Sequence, residues 1–308
     1  MSDKKLVVVL GATGLQGGSV ISALLSSPSY AVRGVTRDPS SSAALSLSGK
    51  GVHMVAGDLS SPSSLLSAFQ GAWAVFGVTL PFTAVPELVQ GKNIVDACRA
   101  VSVQVLVWSS LSEAKKVSGG KYTKVKHWDE KAEVDEYIKS VQQEAIILQT
   151  GGFVENLHNM PLIRSCSQAP GAYIVIWPVV RPATQLPLSY IGPDFGPCVI
   201  RALEVWEAGG EGRENLTRAP IPVCSFTMSV EQMIDVLRKV TGTEIRYTRP
   251  TQMPTEELQE MMLLVDDGLN FPNVPFPTEL FVELGVKFHT FEDYVKDELV
   301  PKMENGEL

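Results

Sequence analysis

Along the first half of the chain, short continuous apolar runs alternate with stretches whose apolar positions recur every three or four residues. Leu6-Val7-Val8-Val9-Leu10 has no polar interruption, the pattern of a parallel strand covered on both faces. Similar β-rich runs at Ala31–Thr36, Val52–Ala56, Trp73–Val78, Val103–Ser109 and Glu144–Gln149 predict further strands. Helical patterning separates them near residues 14–26, 62–69, 85–100 and 127–140. Ser61-Pro62 offers an N-cap with proline at the first helical position. In the 85–100 helix, Val85, Leu88, Val89, Ile94, Val95 and Cys98 outline one apolar face. This alternation predicts an α/β fold with a doubly wound parallel sheet.

Past residue 155 the pattern loosens. Residues 165–198 are rich in Pro and Gly and hold only strand fragments such as Tyr173–Trp177. Val199, Leu203 and Trp206 fit a helix ending at Gly209-Gly210. Ser229-Val230-Glu231-Gln232 is a capping-box pattern opening a helix toward Val240, closed by Thr241-Gly242. Ile245–Thr248 reads as a strand and Thr290–Lys302 as a final amphipathic helix. Met261–Val265 reads as a core helix, with an exposed apolar partner surface as the alternative, and the serine-rich stretch Pro39–Ser48 as a loop. Two domains are expected: residues 1–155, and a smaller α+β portion over 156–308 that forms a cleft and returns some segments to the first sheet.

Composition narrows the function classes. Among 308 residues, 26 Lys and Arg face 34 Asp and Glu, for a net charge of −8. Phosphate-backbone contacts need a basic footprint, so direct nucleic-acid binding is disfavoured. Cys98, Cys166, Cys198 and Cys224 are far apart and lack metal-ligand spacing, which suits a reducing compartment. The opening apolar run of five residues is too short for a signal peptide or a membrane span. The expectation is a soluble, cytoplasmic protein, with the nucleus also open to it.

The strongest chemical signal is Gly11-Ala12-Thr13-Gly14-Leu15-Gln16-Gly17-Gly18, placed between the first strand and the first helix. A helix N-terminus presents free N–H groups and a positive dipole end to a pyrophosphate. Glycines at 11, 14 and 17 permit the tight turn, the close phosphate approach and close helix–sheet packing of a Rossmann-type dinucleotide fold. At the end of the second strand, Thr36-Arg37-Asp38 sets Arg37 where a ribose 2′-phosphate would sit, favouring NADP(H); Asp38 is the counter-argument for NAD. Asp58, after the third strand, can meet the adenine edge or cap the following helix.

The strings GATGLQGG, TRDP, GDL and QGKNIVDACRA, then VWSSLSEAKKVSGGKYTKVKHWDEKAEVDEYI from Val107 and GGFVENL at 151–157, resemble the NmrA-like branch of atypical short-chain dehydrogenase/reductases. The resemblance is close over residues 6–160 and looser beyond. It implies that Gly11, Thr13, Gly14, Leu15 and Gln16 hold the pyrophosphate and Arg37 the 2′-phosphate. It also implies that Asp58 and Leu59 line the adenine, and that Thr79 and Leu80 follow the ribose. Lys92, Lys131, Phe153, Val154, Glu155 and Asn156 would surround the nicotinamide side. The chain departs from the family pattern at Leu80-Pro81-Phe82, where a polar and aromatic pair is common. It departs again at Gln149-Thr150-Gly151-Gly152, in place of Arg-Pro-Gly.

Ordinary short-chain dehydrogenases place Tyr-x-x-x-Lys on one helix face, the ammonium lowering the tyrosine pKa for proton exchange. The matching tetrad here is His127-Trp128-Asp129-Glu130-Lys131, so the lysine remains and histidine replaces tyrosine. Tyr122 lies off the proper face. Two functions stay open. In one, Lys131 only clamps the cofactor, and the protein reports NADP(H) or redox state to a protein partner. In the other, Lys131 or His127 moves a proton and Ser109 or Ser110 polarises a carbonyl, making an NADPH-dependent reductase of a small apolar or aromatic carbonyl, enone or quinone.

Overall fold

The structure, a computed structural model, describes residues 4–167 and 169–308. In chain order its elements are Lys5–Val9 (β1), Leu15–Leu25 (α1), Tyr30–Thr36 (β2), Ser42–Gly49 (α2), His53–Ala56 (β3) and Pro62–Phe69 (α3). Ala74–Gly77 (β4), Glu87–Ala100 (α4), Val105–Ser110 (β5), Ala114–Val117 (α5), Lys126–Ser140 (α6) and Ala145–Thr150 (β6) follow. Then come Gly152–Phe153 (β7), Asn156–Asn159 (α7), Ile163–Ser165 (β8), Tyr173–Ile176 (β9), Leu186–Ser189 (β10), Ile191–Ala208 (α8) and Gly210–Arg218 (α9). Ile221–Val223 (β11), Phe226–Met228 (β12), Val230–Thr241 (α10), Ile245–Thr248 (β13) and Glu256–Asp266 (α11) lead to a C-terminal helical segment. The chain divides into two compact units.

The first unit comprises residues 1–113, 127–149 and 195–221. Its seven-stranded sheet has the order β11-β6-β5-β4-β1-β2-β3, and β1 to β6 are all mutually parallel where they pair. This is the Rossmann-type, doubly wound order, and the sense of the winding reverses between β1 and β4. One face buries Val8, Val75, Leu106 and Trp108 against Leu65, Phe69, Ile94, Val134 and Ile138 of α3, α4 and α6. On the other side Phe76 meets Phe195 edge-on at 5.7 Å between ring centres. Gly196 there accepts no side chain, because a Cβ would fall 2.2 Å from the Ser19 carbonyl oxygen.

The second unit holds residues 114–126, 150–194 and 222–308, with two three-stranded sheets, β12-β10-β7 and β13-β9-β8. Its core gathers Leu186, Leu188, Met233, Leu237, Ile245, Phe291 and Tyr294. The capping box at Ser229 forms as its sequence predicts: the hydroxyl accepts Gln232 N–H at 3.2 Å, the Gln232 side chain accepts Ser229 N–H at 2.8 Å, and Gly242 closes α10 at φ 66°.

Three expectations change. Within the stretch read as a serine-rich loop, Ser42–Gly49 is helical, started by Ser41, whose side chain accepts Ala44 N–H. α8 begins at Ile191, well before Val199, and carries Pro197 inside it. The apolar face of α4 is rotated: Ile94, Val95 and Cys98 are buried, but Val89 is 44% exposed while Glu87 and Gln90 point inward. The final helix forms with a π turn at Val295–Leu299 between Phe291–Tyr294 and Val300–Glu304.

Candidate functional site

Open parallel sheets bind ligands beyond the carboxyl ends of their strands, where the strand order reverses. In the first unit a cavity of about 380 Å³ lies at that place. It is lined by Leu10, Gly11, Thr13 and Gly14 after β1, and by Thr36 and Arg37 after β2. Gly57, Asp58, Leu59 and Ser60 after β3 complete one side; Val78, Leu80, Thr83, Ala84, Val85 and Gln90 complete the other.

The glycine loop has the geometry of an anion cradle. Gly11 sits at φ 60°, and Gly14 N–H closes the turn onto the Gly11 carbonyl at 2.8 Å. A Cβ at Gly17 would stand 2.2 Å from the Gly11 oxygen, so glycine there lets α1 start against the loop. No side chain caps α1 and its first turn has no acidic residue, which leaves its first N–H groups available to an anion. Leu15 and Gln16 are the first residues of this helix.

Arg37 and Asp38 are neighbours with different surroundings. Arg37 is exposed and lines the cavity. The Asp38 carboxylate instead accepts Ser40 N–H at 2.8 Å and the Ser40 hydroxyl at 2.5 Å, contacts that hold its pKa below the usual carboxylate range. Asp58 makes the same kind of turn with Ser60, at 2.7 Å to N–H and 2.6 Å to the hydroxyl. Those bonds, with the Arg37 charge nearby, keep Asp58 ionised to lower pH. Asp58 therefore organises its own loop and lines the cavity at once. Ser61 occupies the N-cap position of α3, but its side chain makes no capping bond.

Lys131 is not a free ammonium. It donates to the Thr79 hydroxyl at 2.6 Å, pairs with Glu87 at 2.9 Å, and lies over the Trp108 ring at 5.6 Å. Lys131, Thr79 and Glu87 are all buried. The Thr79 hydroxyl in turn donates to Glu87 Oε2. Glu130, next to Lys131 on α6, accepts the Glu87 N–H at 2.6 Å. Two successive residues of α6 thus grip Glu87 of α4: the Glu130 carboxylate accepts its backbone N–H, and the Lys131 ammonium pairs with its carboxylate.

The other sequence-derived candidates are dispersed. Ser109 is buried at the end of β5, beside Ser110, whose hydroxyl donates to Asp135 at 2.9 Å. The His127 ring packs on Phe82 at 5.1 Å between centres. Lys92 is exposed and lies over the Tyr137 ring at 5.2 Å. Phe153, Val154, Glu155 and Asn156 belong to the second unit, around β7 and the start of α7. There the Glu155 carboxylate accepts Gly192 N–H at 2.8 Å, and burial pushes its pKa up to about 7. Tyr122, also in the second unit, is buried and donates to Asp267 at 2.7 Å. Glu87 and Gln90 were absent from the candidates read off the sequence. Their spacing, in phase with Ile94 and Cys98, was the signal that they face inward.

The family model described as the NmrA-like family matches residues 3–305. The chain belongs to the NmrA-like family. Among curated proteins, the NmrA-like family domain-containing oxidoreductase ptmS of Penicillium ochrochloron is 30% identical over 264 residues, 79% of this chain and 75% of that protein. Among solved structures, NmrA, a negative transcriptional regulator, in complex with NADP has a TM-score of 0.83 at 19% identity, covering 99% of this chain and 98% of that one. The NADPH-dependent quinone oxidoreductase QOR2 of Escherichia coli, complexed with NADPH, has a TM-score of 0.71 at 18% identity, covering 95% and 99%. These structural likenesses establish a shared fold. No helix among the described residues of this NmrA-like protein is long and apolar enough to cross a membrane.

Proposed function

We propose that this NmrA-like protein binds NADP(H) in the first-unit cavity and acts as a cofactor-responsive regulator, passing its redox state to a protein partner. The observation that carries this reading is the engagement of Lys131. Its ammonium is buried against Thr79 and Glu87, so its hydrogen-bonding capacity is spent within the protein rather than aimed at a substrate. Histidine stands at the tyrosine position and packs on Phe82.

The residues present fit the dinucleotide. Gly11, Thr13, Gly14, Leu15 and Gln16 would receive the pyrophosphate at the α1 N-terminus. Arg37 would pair with the 2′-phosphate; Asp38, whose Oδ1 accepts from Ser40, is not among the residues lining the cavity, where an NAD site would want its acidic residue. Asp58 and Leu59 would border the adenine. Bound NADPH would supply hydride-transfer capacity; the chain's own groups would hold and orient it.

A second reading, an NADPH-dependent reductase, is favoured by the naming of the ptmS relative as an oxidoreductase. One experiment separates the two. NADPH oxidation is followed with quinones, enones and aryl ketones, for the wild type and Lys131→Ala. In parallel, partner capture is compared with NADPH, NADP⁺ and no nucleotide. The regulator reading predicts no turnover above background and a partner set that changes with the nucleotide. Turnover that Lys131→Ala abolishes, with nucleotide-indifferent capture, would make the protein a reductase.

A further inference from the structure

Gln90 is 3% exposed, and every hydrogen bond of its side-chain amide goes to one loop. Its Oε1 accepts Leu80 N–H at 2.9 Å. Its Nε2 donates to the Leu80 carbonyl at 3.0 Å, the Thr83 hydroxyl at 3.0 Å and the Val85 carbonyl at 2.8 Å. Thr83 extends the clamp by donating to the Val85 carbonyl at 2.9 Å. The loop Leu80–Val85 has no helix or strand, and Phe82 within it adopts a left-handed backbone at φ 57°. Even so, Leu80, Thr83, Ala84 and Val85 line the same cavity as Arg37 and Asp58.

A loop with no ladder of its own costs conformational entropy when a ligand must order it. Here the ordering is done beforehand by a single buried amide. We propose that Gln90 is a positioning residue that pre-forms Leu80–Val85 as a cavity wall for the adenosine half of NADP(H). The proposal rests on the NADP(H) reading above. Because Gln90 occupies both the N–H and the carbonyl of Leu80, the backbone of that residue has little left to offer a polar ligand group. The wall therefore presents mainly the aliphatic groups of Leu80, Ala84 and Val85, suited to the face of a purine. The Leu80-Pro81-Phe82 departure from the family pattern falls in this wall.

The test titrates wild type, Thr83→Ala, Thr83→Ser and Gln90→Glu with NADP⁺ and with 2′,5′-ADP, alongside the unfolding midpoint of each ligand-free protein. Thr83 is exposed, so its alanine variant isolates the clamp from the core. Thr83→Ala, which loses two hydrogen bonds, and Gln90→Glu, which loses the Nε2 donor of three, should each weaken both ligands by the same factor, roughly tenfold or more. Thr83→Ser should restore wild-type affinity, and the ligand-free midpoint of Thr83→Ala should stay within about 2 °C. Wild-type affinity in both weakened variants would overturn the proposal, as would an effect on NADP⁺ that spares 2′,5′-ADP. A wild type that binds neither ligand would overturn the NADP(H) reading itself, and this proposal with it.

Discussion

Glu87 and Lys131 form a buried ion pair across α4 and α6, with 2.9 Å between the carboxylate and the ammonium. Neither lies in the sheet, yet together they hold Thr79 at the end of β4 and keep the lysine beneath the Trp108 ring. In a site this dry, the pair matters more through what its loss exposes than through its own net stabilisation. Glu87→Gln leaves a buried ammonium without its counter-ion and should cost about 3–5 kcal/mol. Glu87→Gln combined with Lys131→Met should recover most of that loss. Denaturant unfolding of the two single variants and the double variant checks this, and additive losses would deny the coupling.

Gly17→Ala places a Cβ 2.2 Å from the Gly11 carbonyl oxygen, backbone against backbone. The strand–loop–helix start cannot absorb that contact without shifting α1 away from the cavity. Nucleotide affinity should fall at least about tenfold, with a lower unfolding midpoint. Gly18→Ala is the control: a Cβ there meets nothing within 4 Å, so affinity should hold and the midpoint should stay or rise slightly, as for alanine in place of glycine within a helix. Titration calorimetry of the two variants side by side separates a local clash from a general dislike of side chains in α1.

Asp135 carries a pH dependence. Burial raises its pKa to about 7, while the Ser110 hydroxyl and the nearby Lys139 pull against that rise and Glu136 adds to it. The folded pKa lies above the unfolded one, so the folded state binds the extra proton. Its contribution to stability is therefore full below about pH 4 and is lost as the pH rises through about 7. The slope between those limits is at most about 1.4 kcal/mol per pH unit for one such group. Glu155, also raised to about 7 by burial, acts in the same direction. Asp135→Asn should flatten the fall in stability between pH 5 and pH 7, measured by denaturant unfolding at several pH values.

How far the sequence reaches is clearest on α4. The helix itself, the strands on either side of it and the glycine loop follow from local pattern, because continuous apolar runs and a strand–glycine–helix junction are local properties. The orientation of α4 follows less directly, because the phase that Glu87 and Gln90 share with Ile94 and Cys98 competes with the apolar Val89. Its apolar residues suggest Val89 on the inside, whereas Val89 is exposed and Glu87 and Gln90 are buried. Polar residues turn inward only when partners wait for them, and those partners are Lys131, Thr79 and the Leu80–Val85 loop, which no periodicity in residues 85–100 encodes. Asp38 is a similar case: the sequence offers it to a ribose, and a serine two residues on claims it. The helix in Ser42–Gly49 has almost no apolar face to mark it in the sequence, because only Ala44 on it is buried.

Within the proposed NADP(H) site, Arg37 is the most specific element. Arg37 lines the cavity and Asp38 is not among its lining residues, so phosphate recognition should depend on the arginine. Calorimetric titration of wild type and Arg37→Ala with NADP⁺ and NAD⁺ tests this most directly. The expected result is tighter binding of NADP⁺ by the wild type. In the variant NADP⁺ should weaken by roughly 10- to 100-fold, with NAD⁺ little changed. Equal wild-type affinity for the two dinucleotides, or a preference that survives Arg37→Ala, would contradict it.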